Sequence, residues 1–236
     1  MRKTLINALA ALVLAPAPLM AADHPVVVEL FTAQGCSSCP PADAFLHDLA
    51  ARDDVIALSL HVDYWDYMGW EDPFGSPDNT ARQRGYARAQ GQKMVYTPQI
   101  VVAGTDQAVG TRRTEVIDLI DAHLAKESGG VSLDITREGA SLRLTARASQ
   151  RHGTPLIVRR FRIRPEATVT IKRGENAGRV ARHVNIVTGI EHLADWDTEA
   201  PLVMDMQVAT GEDTASVILF QEGRHGPIAA AARIGR

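Results

Sequence analysis

Cysteine is nearly absent from this chain: 236 residues hold two, Cys36 and Cys39. A framework of several disulfides is therefore excluded. A closed zinc site is excluded as well, because no second Cys-x-x-Cys and no His-x-x-His supplies the remaining ligands. Beyond the N-terminus, no stretch is long and apolar enough to span a bilayer. There is no strong basic excess either. The formal charge is −3, with 8 Lys/Arg against 16 Asp/Glu over residues 23–128 and 15 against 12 over residues 129–236. That balance argues against nucleic acid as a partner. No internal repeat is visible. What remains is ordinary globular composition, 45% hydrophobic and 22% charged, with room for one large or two small domains.

The first 22 residues stand apart from the rest. Arg2 and Lys3 precede an apolar run from Leu5 to Leu19, and Ala21 and Ala22 follow it. This is the layout of a secretory signal peptide. An uncleaved anchor is the competing reading, but the run is short and is broken by Pro16 and Pro18. The expected location is periplasmic or secreted, with no stable membrane anchor after cleavage.

Export gives the two cysteines their meaning, since an oxidising compartment favours the disulfide over the dithiol. The apolar run Val26 to Phe31 comes just before Gly35-Cys36-Ser37-Ser38-Cys39-Pro40-Pro41. Ala42, Phe45, Leu46 and Leu49 follow at helical spacing. A strand, a short loop and a Cys-x-x-Cys pair at a helix start is a redox arrangement. Unsatisfied N–H groups and the positive end of the helix dipole stabilise a thiolate there. Cys36 is then the exposed attacking sulfur and Cys39 the resolving one.

The pattern predicts a strand over His24 to Phe31, a helix from Pro40 to about Arg52 and a strand over Val55 to Val62, a parallel βαβ unit. Residues 63–92 read as an insertion. Its first part, Tyr64 to Phe74, holds five of the chain's twelve aromatics and is expected to be an ordered loop. Ser76-Pro77-Asp78 is an N-cap followed by a helix to about Ala89, with Arg82, Arg84 and Arg88 on polar faces. A hairpin around Ala103 to Asp106 and a helix beginning near Thr114 complete the first domain, which ends at Ser128-Gly129-Gly130. Alternating runs from Val131 to Ile234 then predict seven or eight strands in an antiparallel, sandwich-like second domain over residues 129–236.

Residues 24–128 resemble the thioredoxin superfamily. The strand leading into Cys36-Ser37-Ser38-Cys39, the closing hairpin and helix, and Tyr96-Thr97-Pro98 carry the likeness. The whole chain resembles secreted bacterial thioredoxin-like proteins that have a C-terminal β domain and no assigned activity. Glu29-Leu30-Phe31-Thr32, His61-Val62-Asp63-Tyr64-Trp65-Asp66, Gly174-Glu175-Asn176-Ala177-Gly178-Arg179 and His183-Val184-Asn185 carry that likeness. The expected fold class is thus an α/β thioredoxin-like domain followed by an all-β sandwich-like domain.

The resemblance implies a cis Thr97-Pro98 bond beside the dithiol, with Thr97 and Pro98 seating a substrate strand. It also implies that a buried acid, Glu29, relays a proton to the second cysteine. Tyr64 and Trp65 belong to an aromatic loop that either recognises a partner peptide or packs as a lid. The Ser-Ser dipeptide matches neither the Gly-Pro of reducing thioredoxins nor the Pro-His of strong disulfide donors. The expected function is thiol–disulfide exchange with a protein or small thiol/disulfide substrate, needing no metal or organic cofactor. Two alternatives stand: a binding protein in which the disulfide is a fixed staple, and a copper carrier using Cys36, Cys39 and His61.

Overall fold

The computed structural model describes residues 24–126, 129–138, 141–207 and 215–235. The expected signal peptide lies outside the described residues. Among the described residues no helix is long and apolar enough to cross a membrane.

The first half forms as its local patterns dictate. Strand β1 (Val26–Thr32) and strand β2 (Val55–His61) are buried along their whole lengths and pair in parallel, Val26 opposite Val55 through Thr32 opposite His61. Helix α1 (Pro40–Ala50) joins them, with Cys39 at its N-cap and two prolines in the positions that need no N–H donor. Its buried face is Ala42, Phe45, Leu46 and Leu49. A single 3-10 turn (Asp66–Met68) stands in the aromatic loop. Helix α2 (Pro77–Ala89) starts at Ser76, whose side chain accepts from the Asp78 N–H at 3.2 Å. Strands β3 (Gln99–Val102) and β4 (Asp106–Val109) form the hairpin, turned by Ala103 and Gly104, both at positive φ. Helix α3 (Arg113–Leu124) follows.

The second half does not stand apart. Its strands are β5 (Val131–Glu138), β6 (Ser141–Ala148), β7 (Leu156–Thr170), β8 (Val180–Trp196), β9 (Leu202–Gln207), β10 (Ala215–Glu222) and β11 (Ile228–Gly235). Four of them extend the sheet of the first half in the order β11-β10-β7-β8-β2-β1-β3-β4. The joint is the parallel pair Ser59–Ile186. Only β5, β6 and β9 make a separate sheet. The fold is mixed α/β with one large, mostly β sheet and few helices.

This corrects the expectation of a self-contained sandwich over residues 129–236. The reason lies in the cores. One face of β1 and β2 packs on α1 and α3 through Val28, Leu30, Ala57 and Ile120. The other face, through Phe31, Leu58 and Leu60, packs against Phe161, Ile163, Val217 and Leu219 from β7 and β10. A strand pair buried on both faces needs two covering layers, and the second half supplies one of them. The three-stranded sheet closes a third core with Leu144, Trp196 and Phe220. Strand β7 also runs through Pro165. Pro165 falls between the Arg164–Ile186 and Glu166–Val184 pairs, where Asn185 on the facing strand takes a positive φ.

Candidate functional site

Cys36 and Cys39 form a disulfide at the start of α1, with Cα atoms 5.4 Å apart. Thr97-Pro98 is cis and lies beside this loop. The Ser38 hydroxyl is 3.4 Å from the Thr97 carbonyl and 3.4 Å from Cys36 Sγ. Pro98 packs on Gly110, where an added Cβ would come within 3.1 Å of Pro98 and 3.0 Å of Ala42 in α1.

Both sulfurs are covered, which corrects the expectation of an exposed Cys36. Cys36 is 1% exposed and Cys39 0%. One cover is Trp65, whose indole N–H donates to Thr97 Oγ1 at 2.8 Å. It lies so close over the motif that a Cβ on Gly35 would sit 3.2 Å from the Trp65 Cβ. Tyr64 is held next to it by a hydrogen bond to Gln83, 3.1 Å. Tyr64 and Trp65 are partly buried and packed against the core. The other cover comes from the loop between β7 and β8. Asn176 is buried, and its amide donates to the carbonyls of both Gln34 and Cys36, each at 2.9 Å. From the sequence, Gly174–Arg179 reads as either a plain β-turn or a shaped binding loop. The two glycines at positive φ that flank Asn176 are the signal that the loop is shaped around it.

Glu29, expected as a proton relay, is tied into a buried ion-pair network. Its carboxylate, fully buried, accepts from Arg82 Nε at 2.5 Å, Arg82 Nη2 at 2.9 Å and the Tyr86 hydroxyl at 2.5 Å. Gln221 of β10 closes the network with 3.2 Å and 2.9 Å bonds to Arg82 and Tyr86. Arg82, expected on a polar face of α2, is therefore an interior residue, 5% exposed. Its guanidinium also lies over the Phe161 ring, 5.0 Å from the centroid.

A second polar cluster gathers at the C-terminal ends of β1 and β2. His61 Nδ1 is 2.7 Å from Asp72 Oδ2, and both side chains are buried. Burial by itself would lower the His61 pKa, but the Asp72 carboxylate outweighs it and raises the value. Burial pushes Asp72 the other way, yet His61 and the backbone N–H groups of Gln34 and Phe74 hold it below the carboxylate range. The His61 ring meets that of His183 edge to face, 4.5 Å between centroids. Burial, then the nearby His61, holds His183 down at about 3. Asp43, one turn into α1, accepts from the Thr32 hydroxyl at 2.8 Å, and burial raises it to about 6. His61 could be picked from the sequence as a strand-end histidine. Nothing in the local sequence around Asp72, Asp43 and His183 shows that they meet His61. Among the described residues no group of three or more His, Cys, Asp or Glu side chains is disposed to hold a metal ion.

Known proteins place the chain as follows. No curated protein matches it. A crystal structure of a protein from Agrobacterium tumefaciens is similar at 31% identity and a TM-score of 0.77, covering 89% of this chain and 93% of that one. HBP35 of Porphyromonas gingivalis is similar at 14% identity and a TM-score of 0.59, over 90% of this chain and 75% of the other, a likeness of fold alone. Residues 27–221 match the family described as proteins of unknown function, DUF1223, and the chain belongs to that family.

Proposed function

We propose that this chain is a thioredoxin-like thiol–disulfide oxidoreductase of the periplasm or cell exterior, with Cys36–Cys39 as its redox pair. The observation that carries the reading is the disulfide at the N-cap of α1 with the Thr97 main chain beside it. Parallel β1 and β2 around α1, and the β3–β4 hairpin leading to α3, support a thioredoxin-like frame. A substrate thiolate attacks Cys36 Sγ, forms a mixed disulfide and releases the Cys39 thiolate. The substrate's second thiolate then attacks its own sulfur in the mixed disulfide and releases Cys36. The substrate leaves as a disulfide, its two electrons left on the cysteines. The α1 N-terminus stabilises the thiolates.

The test is the reduction potential of the pair in the full chain. A value of about −270 to −120 mV supports exchange, and one below about −300 mV means a structural bridge. Glutathione exchange that Cys36→Ser leaves unchanged would also sink the proposal.

Burial of both sulfurs favours a second reading, a binding protein whose disulfide is inert. Access separates the two readings. If the disulfide works, the Asn176 loop and Trp65 must open, because a buried sulfur admits no in-line thiolate. Asn176→Ala removes two hydrogen bonds from the cover. It is expected to raise the rate of disulfide reduction by dithiothreitol on the order of tenfold. An unchanged rate would show that this loop does not control access.

A further inference from the structure

A cleft of about 540 Å³ opens between α1 and the start of β8. Its apolar wall comes from Pro40 and Ala44 of the helix and from Ile171 and Val180 across it. Val180 is 67% exposed, unusual for a strand valine beside a helix. A cleft of this size, largely apolar with a few converging polar groups, has the build of a small-molecule site.

The polar groups give the ligand's charge. Arg179, Arg182 and His47 line the cleft, against a single acid, Asp43. Arg182 is shared with Glu166, and the His47 Nε2–H donates to the Arg182 carbonyl at 2.9 Å. Arg179 has no ion pair among the described residues. The Asp43 carboxyl is already bonded to Thr32.

His183, a buried residue, also borders the cleft. The Trp70 indole N–H donates to Gln34 Oε1 at 2.9 Å, which turns the Gln34 amide N–H toward His183 Nε2 at 3.3 Å. Nε2 therefore accepts, and the imidazole proton sits on Nδ1. That Nδ1 is buried and has no partner, although His183 and Gln34 both line the cleft.

We propose that this cleft binds a small organic carboxylate with an apolar body. The carboxylate faces Arg179, and the body lies along Pro40, Ala44 and Val180. The site does not depend on the reactivity of the cysteines.

The probes are hexanoate, hexanol and hexylamine, titrated into nitrogen-labelled full chain at neutral pH and followed by backbone amide shifts. Hexanoate is expected to saturate in the millimolar range and to move Ala44, Arg179 and His183. Hexylamine is expected to leave them still. Arg179→Gln, an exposed change that spares the fold, is expected to weaken hexanoate about tenfold, as loss of a charge-assisted bond does. Ala44→Trp fills the cleft from an exposed helix position and is expected to abolish binding. Equal binding of hexanol and hexanoate, no saturable shift with hexanoate, or an unchanged affinity in Arg179→Gln would each overturn the proposal.

Discussion

Arg82→Ala is expected to lower the stability of the chain by about 3–5 kcal/mol, the range for breaking a buried ion pair from one side. For a chain of this size that is a fall of roughly 10 °C in Tm. The cause is the partner left behind. Glu29, fully buried, would lose both guanidinium bonds and keep the Tyr86 hydroxyl as its remaining side-chain partner. Replacing both charges, Glu29→Leu with Arg82→Met, is expected to recover most of the loss, because the desolvation cost goes with the pair. Arg143 and Asp205 supply the contrast. Their bidentate pair across β6 and β9 is exposed at 46% and 60%. Arg143→Ala is expected to cost less than about 1 kcal/mol. Urea unfolding of the three variants checks this. Losses of similar size for Arg82→Ala and Arg143→Ala would refute the assignment of Glu29–Arg82 as a core pair.

Acid is expected to act through His183. Its imidazole has an ordinary value of 6.5 when unfolded and about 3 in the fold, because burial, with His61 next, opposes the charge. Between those values the unfolded chain binds more protons, so this residue's contribution is lost as pH falls below about 6.5. By pH 5 its share is about 2 kcal/mol. Asp72, whose value is depressed, adds a loss in the same direction at lower pH. Asp43 and His61, both raised, work against it and gain stability on acidification. The difference between the natural chain and His183→Gln isolates the residue. The natural chain's advantage is expected to shrink by about 2 kcal/mol between neutral pH and pH 5. Parallel stability profiles would show that His183 is not held neutral.

The local features of the site were legible in the sequence. The Cys-x-x-Cys pair, the two prolines after it and the spacing of Ala42, Phe45, Leu46 and Leu49 placed a disulfide at the start of α1. Ser76-Pro77-Asp78 placed the start of α2. These are contacts within a few residues, where spacing alone decides which groups meet. The thioredoxin resemblance supplied the cis Thr97-Pro98 bond. Spacing could not decide which charged residues go inside. Arg82 lies on a helix with an ordinary polar pattern, and it is buried because Glu29 on β1 and Gln221 on β10 meet it there.

The sequence by itself determined a Cys-x-x-Cys pair at a helix N-terminus within a βαβ unit, because capping, periodicity and cysteine spacing are short-range physics. Only the tertiary structure decided that the sulfurs are covered. The covering amide, Asn176, comes from 140 residues away in sequence. It arrives because β7 and β8 join the first-half sheet at Ser59–Ile186 and pack their apolar residues on its open face. Burial of that face is driven by total apolar area, not by local pattern. The same docking brings His183 to His61 and Gln34 and forms the cleft beside α1.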